Sequence, residues 1–425
     1  MTTTTDHAAL RQQVLDWIEA DREALISFLS TFVAAASPNP PGDTTVAVKH
    51  LTDFLDGEKL PYRIVDPEPT MANIVGSFDG GAGPGRHLVL NGHIDCFPVD
   101  PKDDRWIQPP WSGAIADGKV WGRGAADMKC GTTAGIMTYR YLHRIKEYLK
   151  GKLTLTCVSD EETFGPWGAR WLIENEPEVL GDVCLNGEPS GPNTIRFGEK
   201  GPLWLLIEVQ TRGAHGAYPH QTDSASKIAA AIVGELERVT EIEANMPDNV
   251  FRALGQAHDA MDKAMEKGAA DIVPKVTLNI GTVQGGLKVN MVPDNVRMEA
   301  DIRVPVGIEK EQVLAIVDEI MARYPQARYE EMNYTAPSWC DPYHEMVEIL
   351  QKNAKESGGY DPVPIVGLGG TDARLWRHKN IPAYVYGPPP TGMGTANEHV
   401  EIETFLHIVR THALSALDYM VKTAE

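Results

Sequence analysis

Four short segments each carry a metal-ligating side chain to the end of an apolar or glycine-rich run. They are Leu88-Val89-Leu90-Asn91-Gly92-His93-Ile94-Asp95, Gly122-Arg123-Gly124-Ala125-Ala126-Asp127-Met128-Lys129, Val158-Ser159-Asp160-Glu161-Glu162 and Leu185-Asn186-Gly187-Glu188. In an open α/β sheet, sites form just beyond the carboxyl ends of the strands. Three of the segments leave runs of strand length, and Asp127 sits on a glycine-rich stretch ahead of a helical one. Brought together at one sheet edge, His93, Asp127, Glu162 and Glu188 supply one imidazole and three carboxylates, a mix that suits Zn, Mn or Co better than a structural cysteine site does. A carboxylate can bridge two metals, which then lie roughly 3.5–4 Å apart. Asp95, two residues after His93, is placed to orient a ligand imidazole. Glu161 is the spare acid of its pair. A carboxylate not used on metal can take a proton from a metal-activated water and return it to a leaving nitrogen. Any one of these residues alone is more often structural or solvated; their joint placement is what points to a metal-dependent hydrolase acting on a C–N bond.

The frame around these segments is layered. Apolar residues at helical spacing (Leu10, Val14, Trp17, Ile18, Leu25, Phe28, Leu29, Phe32) predict one long helix from about Asp6 to Ala35, ended by Ser37-Pro38-Asn39-Pro40-Pro41-Gly42. A helix near Thr45–Leu55 and strands at Tyr62–Val65, Asn73–Phe78, His87–Gly92, Leu153–Ser159 and Asp182–Asn186 follow, with helices at Gly131–Tyr148 and Gly168–Glu174. Strands alternating with helices imply an α/β fold with a mixed, mainly parallel sheet. From Gly201 the pattern changes. Strands at Leu203–Gln210, Val276–Thr282, Asn295–Val304 and Arg328–Asn333, with helices at Ser224–Val239 and Glu309–Arg323, give a β-α-β-β-α-β order, that of an inserted ferredoxin-like α+β domain. Glu241–Lys275 reads as a longer helical stretch within it. The expected organisation is residues 1–200 and 337–425 as two pieces of a catalytic domain, with residues 201–336 inserted. Thr2–Thr5 is the one low-complexity tract.

Thirty-nine basic against 59 acidic residues give a net charge of −20, which argues against nucleic acid and anionic membranes as partners. The five cysteines (Cys96, Cys130, Cys157, Cys184, Cys340) are odd in number and widely spaced, without a CxxC site. Free thiols fit a reducing compartment. No basic-then-apolar leader and no run long enough to span a bilayer are visible, so a cytoplasmic location is expected.

The pattern resembles the co-catalytic metallopeptidase family of acetylornithine deacetylase, succinyl-diaminopimelate desuccinylase, aminoacylase-1 and carboxypeptidase G. The matching marks are NGHID at 91–95, GRGAADMKCG at 122–131, SDEE at 159–162, NGEPS at 186–190, RGAHGAYPH at 212–220, GGLKVNMVPD at 285–294, ADIR at 300–303, GGTDAR at 369–374 and NEHV at 397–400. The resemblance implies a phosphorylase/peptidase-like catalytic domain and a lid, residues 201–336, that also makes a homodimer or higher oligomer. It implies that His93 and Glu188 hold one metal, Asp127 bridges, Glu162 holds the second, and Glu161 is the general acid/base. The peptide after Asp127 would be cis. His215 would reach into the neighbouring subunit's site to polarise the attacked group. Asn290 and Arg303 would bind the carboxylate end of a small substrate, with Gly370 and Thr371 nearby.

One departure from that family matters. Its last metal-binding His stands about three residues before the Asn/Asp-Glu pair, and here that position is Gly394. Either His399, just after the pair, takes its place, or the second metal site is weak or empty. The latter is expected, so one or two metals are bound per chain. The commonest substrate of such a site is an amide, an N-acyl amino acid or small peptide bearing a carboxylate. The tryptophans near the site segments (Trp106, Trp111, Trp121 and Trp167) suggest a second reading: an aminohydrolase that releases ammonia from an activated aromatic amine such as 5-nitroanthranilate. A non-catalytic small-molecule-binding homologue is the reading from another class.

Overall fold

The protein's structure is a computed structural model that describes residues 7–421. Asp6, the expected start of the first helix, and the Thr2–Thr5 tract lie outside the described residues. In chain order the main elements are α1 (His7–Ala20), α2 (Arg22–Ala34), α3 (Thr45–Gly57), β1 (Tyr62–Val65), β2 (Asn73–Asp79), β3 (His87–His93), α4 (Cys130–Arg144), β4 (Lys152–Val158), α5 (Ala169–Asn175), β5 (Val183–Asn186) and β6 (Thr194–Glu199). Then come β7 (Gly201–Gln210), α6 (Ala225–Leu236), β8 (Thr277–Gly285), β9 (Asn295–Val304), α7 (Lys310–Met321) and β10 (Ala327–Tyr334). The chain ends with α8 (Glu345–Gly358), α9 (Ala373–His378), β11 (Ala383–Val385) and α10 (Ile402–Val421). Among the described residues no helix is long and apolar enough to cross a membrane.

Two compact units emerge. The first holds the chain up to Phe197, Cys340–Ile365 and everything from Thr371; the second holds Gly198–Trp339 and the short return Val366–Gly370. The sequence pattern places no part of the second unit beyond residue 336, because a five-residue return carries no periodicity of its own.

In the first unit the strand order is β1-β2-β4-β3-β5-β11-β6. Its centre, β4-β3-β5-β11, is parallel, and antiparallel partners flank it. β3 (HLVLNGH) is buried at every residue after the first, because both faces are covered. On one side Val75, Val89, Val158, Leu172, Ile173 and Trp376 form a core under α5 and α9. Elsewhere α10 packs against α4 and α8. Each fully buried Leu, Ile or Val contributes about 1.5–3 kcal/mol.

The expected first helix is two helices. Asp21 (φ −88°, ψ 5°) separates them, and its carboxylate accepts from the Arg140 guanidinium at 2.8 Å and the Tyr141 hydroxyl at 3.0 Å, both on α4. The apolar stripe runs on unbroken across the gap, so periodicity could not reveal it.

The second unit is a four-stranded antiparallel sheet, β8-β9-β7-β10, with α6 and α7 against one face. Alternate residues Leu203, Leu205, Ile207 and Val209 of β7 and Val296, Met298, Ala300 and Ile302 of β9 build its core. The expected 241–275 helical stretch is instead three short helices, Asp248–Gln256, His258–Met265 and Ala269–Ile272. Glu266 and Gly268, both at positive φ, interrupt it. Lys200, beside β7, ties down its end. The buried ammonium donates to the carbonyls of Ile272 and Lys275 at 3.1 and 2.7 Å and to the Thr277 hydroxyl at 3.2 Å. Burial pushes Lys200 down to about 7.

Two buried histidines on α10 set an acid limit for the first unit. His412 Nε2 donates to the Tyr386 carbonyl at 2.6 Å, and its Nδ1 has no partner. His407 Nε2 meets the Tyr386 hydroxyl at 2.7 Å. Burial pushes both rings down to about 4, whereas an unfolded chain protonates them near 6.5. Between about pH 6.5 and 4 the unfolded chain therefore binds more protons, and stability falls with pH. Above pH 6.5 both rings are neutral in either state and add no slope. Thermal melts from pH 7.5 to 4.5 are expected to show Tm dropping below pH 6.5, with a shallower drop in His412→Gln.

Candidate metal centre

Parallel pairing explains why the site residues converge. His93 ends β3 opposite Val158 of β4, and Asn91 lies opposite Asn186 of β5. The loops after all three strands therefore leave the sheet at one edge. Two buried asparagines hold that edge. Asn186 donates to Asn91 Oδ1 at 2.7 Å, Asn91 donates to Thr156 Oγ1 at 3.1 Å, and Asn186 Oδ1 accepts the Glu188 amide at 2.8 Å. Asp127 arrives from the turn before α4. There Gly131 lies so close to Gly187 that a Cβ on it would sit 1.9 Å from the Gly187 carbonyl oxygen. Only glycine permits this approach, and it brings the start of α4 against the loop carrying Glu188. The Asp127–Met128 peptide is cis, as the resemblance implies.

The four expected ligands come together. His93 Nε2 lies 3.2 Å from Asp127 Oδ1 and 3.3 Å from Glu188 Oε1. Two groups of potential ligand atoms, each mutually within 4.8 Å, are His93–Asp127–Glu162 and His93–Glu161–Glu188. All are buried except Glu162, which is half-buried. His93 Nδ1 donates to the Asp95 carbonyl at 2.9 Å, so Nε2 faces the carboxylates. Glu162 Oε1 is buried without a partner. That orphaned oxygen is unsatisfied as it stands, and around it three further carboxylates crowd a single imidazole. A divalent cation would satisfy the orphaned oxygen and offset the crowded charge, so the residues fit the metal that the sequence implies.

Electrostatics agree. Burial, then repulsion by Glu188 and Asp372, pushes the Glu161 carboxyl well up. Burial, then Asp127, pushes Glu162 well up and Glu188 up to about 8. His93 is raised well above its usual value: burial opposes its charge, but Glu188, Asp127 and Asp95 outweigh it. The cluster is short of positive charge.

Asp95 has a larger part than sequence suggests. Its carboxylate stands 3.4 Å from His93 Nδ1. It also accepts the backbone amides of Glu161 and Glu162, at 3.3 and 3.1 Å. Asn39, read in the sequence only as part of a helix-breaking run, donates to Asp95 at 2.9 Å and to Asp160 at 3.2 Å. Asp160 in turn accepts from the Thr163 hydroxyl and the Trp167 amide at 2.7 and 3.1 Å. One buried amide thus holds both ends of the loop that carries Glu161 and Glu162. Glu398, a landmark in the sequence, fixes Asp127: Oε1 accepts the amides of Ala126 and Asp127, each at 3.0 Å, and Oε2 pairs with Arg123 at 2.6 Å. Lys129, fully buried, donates to the carbonyls of Phe32 and Ala35 at 3.0 and 2.6 Å, which ties the Asp127 turn to the end of α2. Glu398 and Lys129 lie within segments the sequence marks, but no local signal shows what they or Asn39 hold, because every one of these bonds is long-range.

Arg374 is a further residue that sequence reasoning passed over. Its Nη1 lies 3.3 Å from Glu161 Oε1 and also donates to the Thr371 carbonyl. Thr371 is buried here, with Gly370 just before it. His399 belongs to neither ligand group among the described residues. It pairs with Trp121 across a short antiparallel ladder, its ring lies 4.4 Å from that indole, and its Nδ1 donates to the Asn397 carbonyl at 2.8 Å. Gly394 has φ +70°, and a Cβ there would meet the Phe97 ring at 3.8 Å. Trp167 is 37% exposed, and its carbonyl accepts from Asn73.

The remaining expected residues lie in the second unit. His215 is exposed, on a two-residue strand paired with Met291–Val292, and its Nδ1 accepts the Ala217 amide at 3.1 Å. The carbonyl of Asn290 accepts the Gly216 amide at 2.8 Å. The Arg303 fork is taken up by Asp301, with bonds of 2.8 and 3.0 Å.

Residues 89–418 match the profile of peptidase family M20/M25/M40. The chain belongs to that family. It is a metal-dependent hydrolase acting on C–N bonds. Succinyl-diaminopimelate desuccinylase 1 of Alteromonas mediterranea is 26% identical over 347 residues, 79% of this chain and 81% of that one. The succinyl-diaminopimelate desuccinylase of Paracoccus denitrificans is 27% identical over 393 residues, 89% and 93% of the two chains. In fold, the chain is similar to the M20 family metallo-carboxypeptidase Sso-CP2 of Sulfolobus solfataricus, with a TM-score of 0.78 at 16% identity over 94% of this chain and 99% of that one.

If the Asp95 carboxylate organises the centre, Asp95→Ala leaves two buried amides unpaired. Competition with a chromophoric chelator is expected to show divalent-metal affinity down by roughly 10–100-fold, with the protein still folded.

Proposed function

We propose that this M20-family enzyme hydrolyses the amide of a small carboxylate-bearing substrate, an N-acyl amino acid or short peptide. The observation that carries this reading is Glu161. It is a buried carboxylate within reach of both His93 and Glu188, yet it is paired to Arg374, which leaves it free to handle protons. His93, Asp127, Glu162 and Glu188 would hold one or two divalent cations (Zn, Mn or Co). When bound, such a cation supplies Lewis acidity, lowering the pKa of a water and polarising the group under attack. Glu161 accepts the proton of the attacking water and passes it to the leaving nitrogen. Asp95 keeps His93 and the Glu161–Glu162 backbone in place. The single imidazole of the cluster and the glycine at 394 favour one firmly held metal, with His399 as an outer candidate for the second site.

The second unit supplies the lid in this reading. His215 reaches into the neighbouring subunit's site and polarises the acyl oxygen there, its Nε2–H left to donate because Nδ1 already accepts. Asn290 and Arg303 meet the substrate's carboxylate, Arg303 after exchanging Asp301 for it. Leu287 and Val289, 87% and 100% exposed beside Asn290, support an oligomer made through residues 201–336. Five free cysteines, four of them buried, support a reducing, cytoplasmic setting.

The second reading, an aminohydrolase acting on an activated aromatic amine, is favoured by Gly394. Where an imidazole is missing, the exposed Phe97 ring faces the open position, and a flat substrate suits that surface. A panel of N-acyl amino acids, dipeptides and 5-nitroanthranilate, assayed with Mn, Zn and Co added separately, decides between the two. Acyl or peptide turnover is expected; ammonia release from the aromatic amine alone would replace the first reading with the second. With the true substrate, Glu161→Gln is expected to lower kcat by roughly 100-fold or more.

A further inference from the structure

Glu161 stands in an unstable place for a proton carrier. Its carboxylate lies in the same close group as His93 and Glu188. A carboxylate within such reach of a divalent cation is drawn onto it, because opposite charges attract strongly where water is excluded. Captured as a ligand, Glu161 would be a weaker base, its charge drawn onto the cation and its carboxylate held away from the attacking water.

Arg374 opposes this capture. Its guanidinium is 3% exposed and the Glu161 side chain 8%, with Nη1 3.3 Å from Oε1. The guanidinium is itself fixed from two directions. Nη1 donates to the carbonyl of Thr371, just before α9. Its plane lies over the ring of Phe164, 4.6 Å from the centroid. Phe164 belongs to the loop that carries Glu161, and its amide donates to the Glu161 carbonyl at 2.8 Å. The cation and the carboxylate are thus locked to one another through two short stretches of chain. A planar, always charged, weakly hydrated fork suits this task; a lysine ammonium lacks both the stacking face and the fixed direction.

We infer that Arg374 is a positioning residue that holds Glu161 off the metal, so that Glu161 stays a proton carrier and does not become a ligand. The inference rests on the reading of Glu161 as the general base. It assigns Arg374 no contact with substrate.

Metal affinity and turnover separate the possibilities. Mn and Zn affinities are measured by competition with a chromophoric chelator, for the wild type, Arg374→Met, Arg374→Lys, Glu161→Gln and the double variant Arg374→Met/Glu161→Gln. In Arg374→Met metal binding is expected to tighten at least threefold while kcat falls at least 100-fold and KM stays within threefold. The double variant is expected to lose that tightening, and Arg374→Lys to recover part of kcat. Glu161→Gln alone is expected to leave metal affinity within threefold of wild type. That last arm stands even if Arg374→Met does not fold, and a tenfold loss of metal affinity there would mean that Glu161 is already a ligand, overturning the proposal. Unchanged kcat in Arg374→Met, weaker metal binding together with a lower Tm, or a rise in KM at constant kcat would each overturn it as well. A wild-type protein that binds neither metal would instead sink the underlying metal-hydrolase reading.

Discussion

Asp127, Glu161, Glu162 and Glu188 bring four carboxylates around one imidazole at the edge of a buried parallel sheet. Two like charges 4 Å apart repel by about 4 kcal/mol at the effective dielectric of a protein interior. Arg374 and His93 offset only part of this; burial first, and then this repulsion, push the Glu161, Glu162 and Glu188 carboxyls up. Such a cluster persists because the fold over-determines it and because a divalent cation converts the repulsion into coordination. The same surplus of acid that would unsettle an ordinary core is what makes a tight metal site.

The supporting structure answers to that constraint. Parallel β4, β3 and β5 deliver three of the loops that carry the proposed ligands to one edge, and the Gly131–Gly187 approach delivers the fourth. Asn39 and Asp95 tie the Glu161–Glu162 backbone, Glu398 ties the Asp127 backbone, and Lys129 anchors the turn to α2. The positioning work is done largely by hydrogen bonds to main-chain groups, which fix where a side chain starts without using up its reactive end. Glu161 is the case where the carboxylate itself is paired too, with Arg374 at 3.3 Å.

The convergence of the proposed ligands was legible in the sequence because each closes an apolar or glycine-rich run, and strand ends are where open α/β sheets build sites. The β-α-β-β-α-β order of the second unit was legible for a related reason: alternation of period two in β7 and β9 survives as a buried face. What escaped notice is long-range or aperiodic. Asn39 lies 56 residues from the Asp95 it serves, and Arg374 lies 213 residues from Glu161. The break at Asp21 hides under a continuous apolar stripe, and the interrupted 241–275 stretch turns on Glu266 and Gly268 at positive φ, where composition alone still reads as helix. For His399 the sequence left two options, a substitute ligand or a weak or empty second site; its ring lies tilted 4.4 Å from Trp121 and outside both ligand groups among the described residues.

The central claim is that the buried acids are built around a divalent cation, and anomalous diffraction from crystals grown with Mn tests it most directly. A peak bounded by His93 Nε2, Asp127 and Glu188, lost in His93→Ala crystals, is the predicted result. No peak there, or one that persists without His93, would contradict the account.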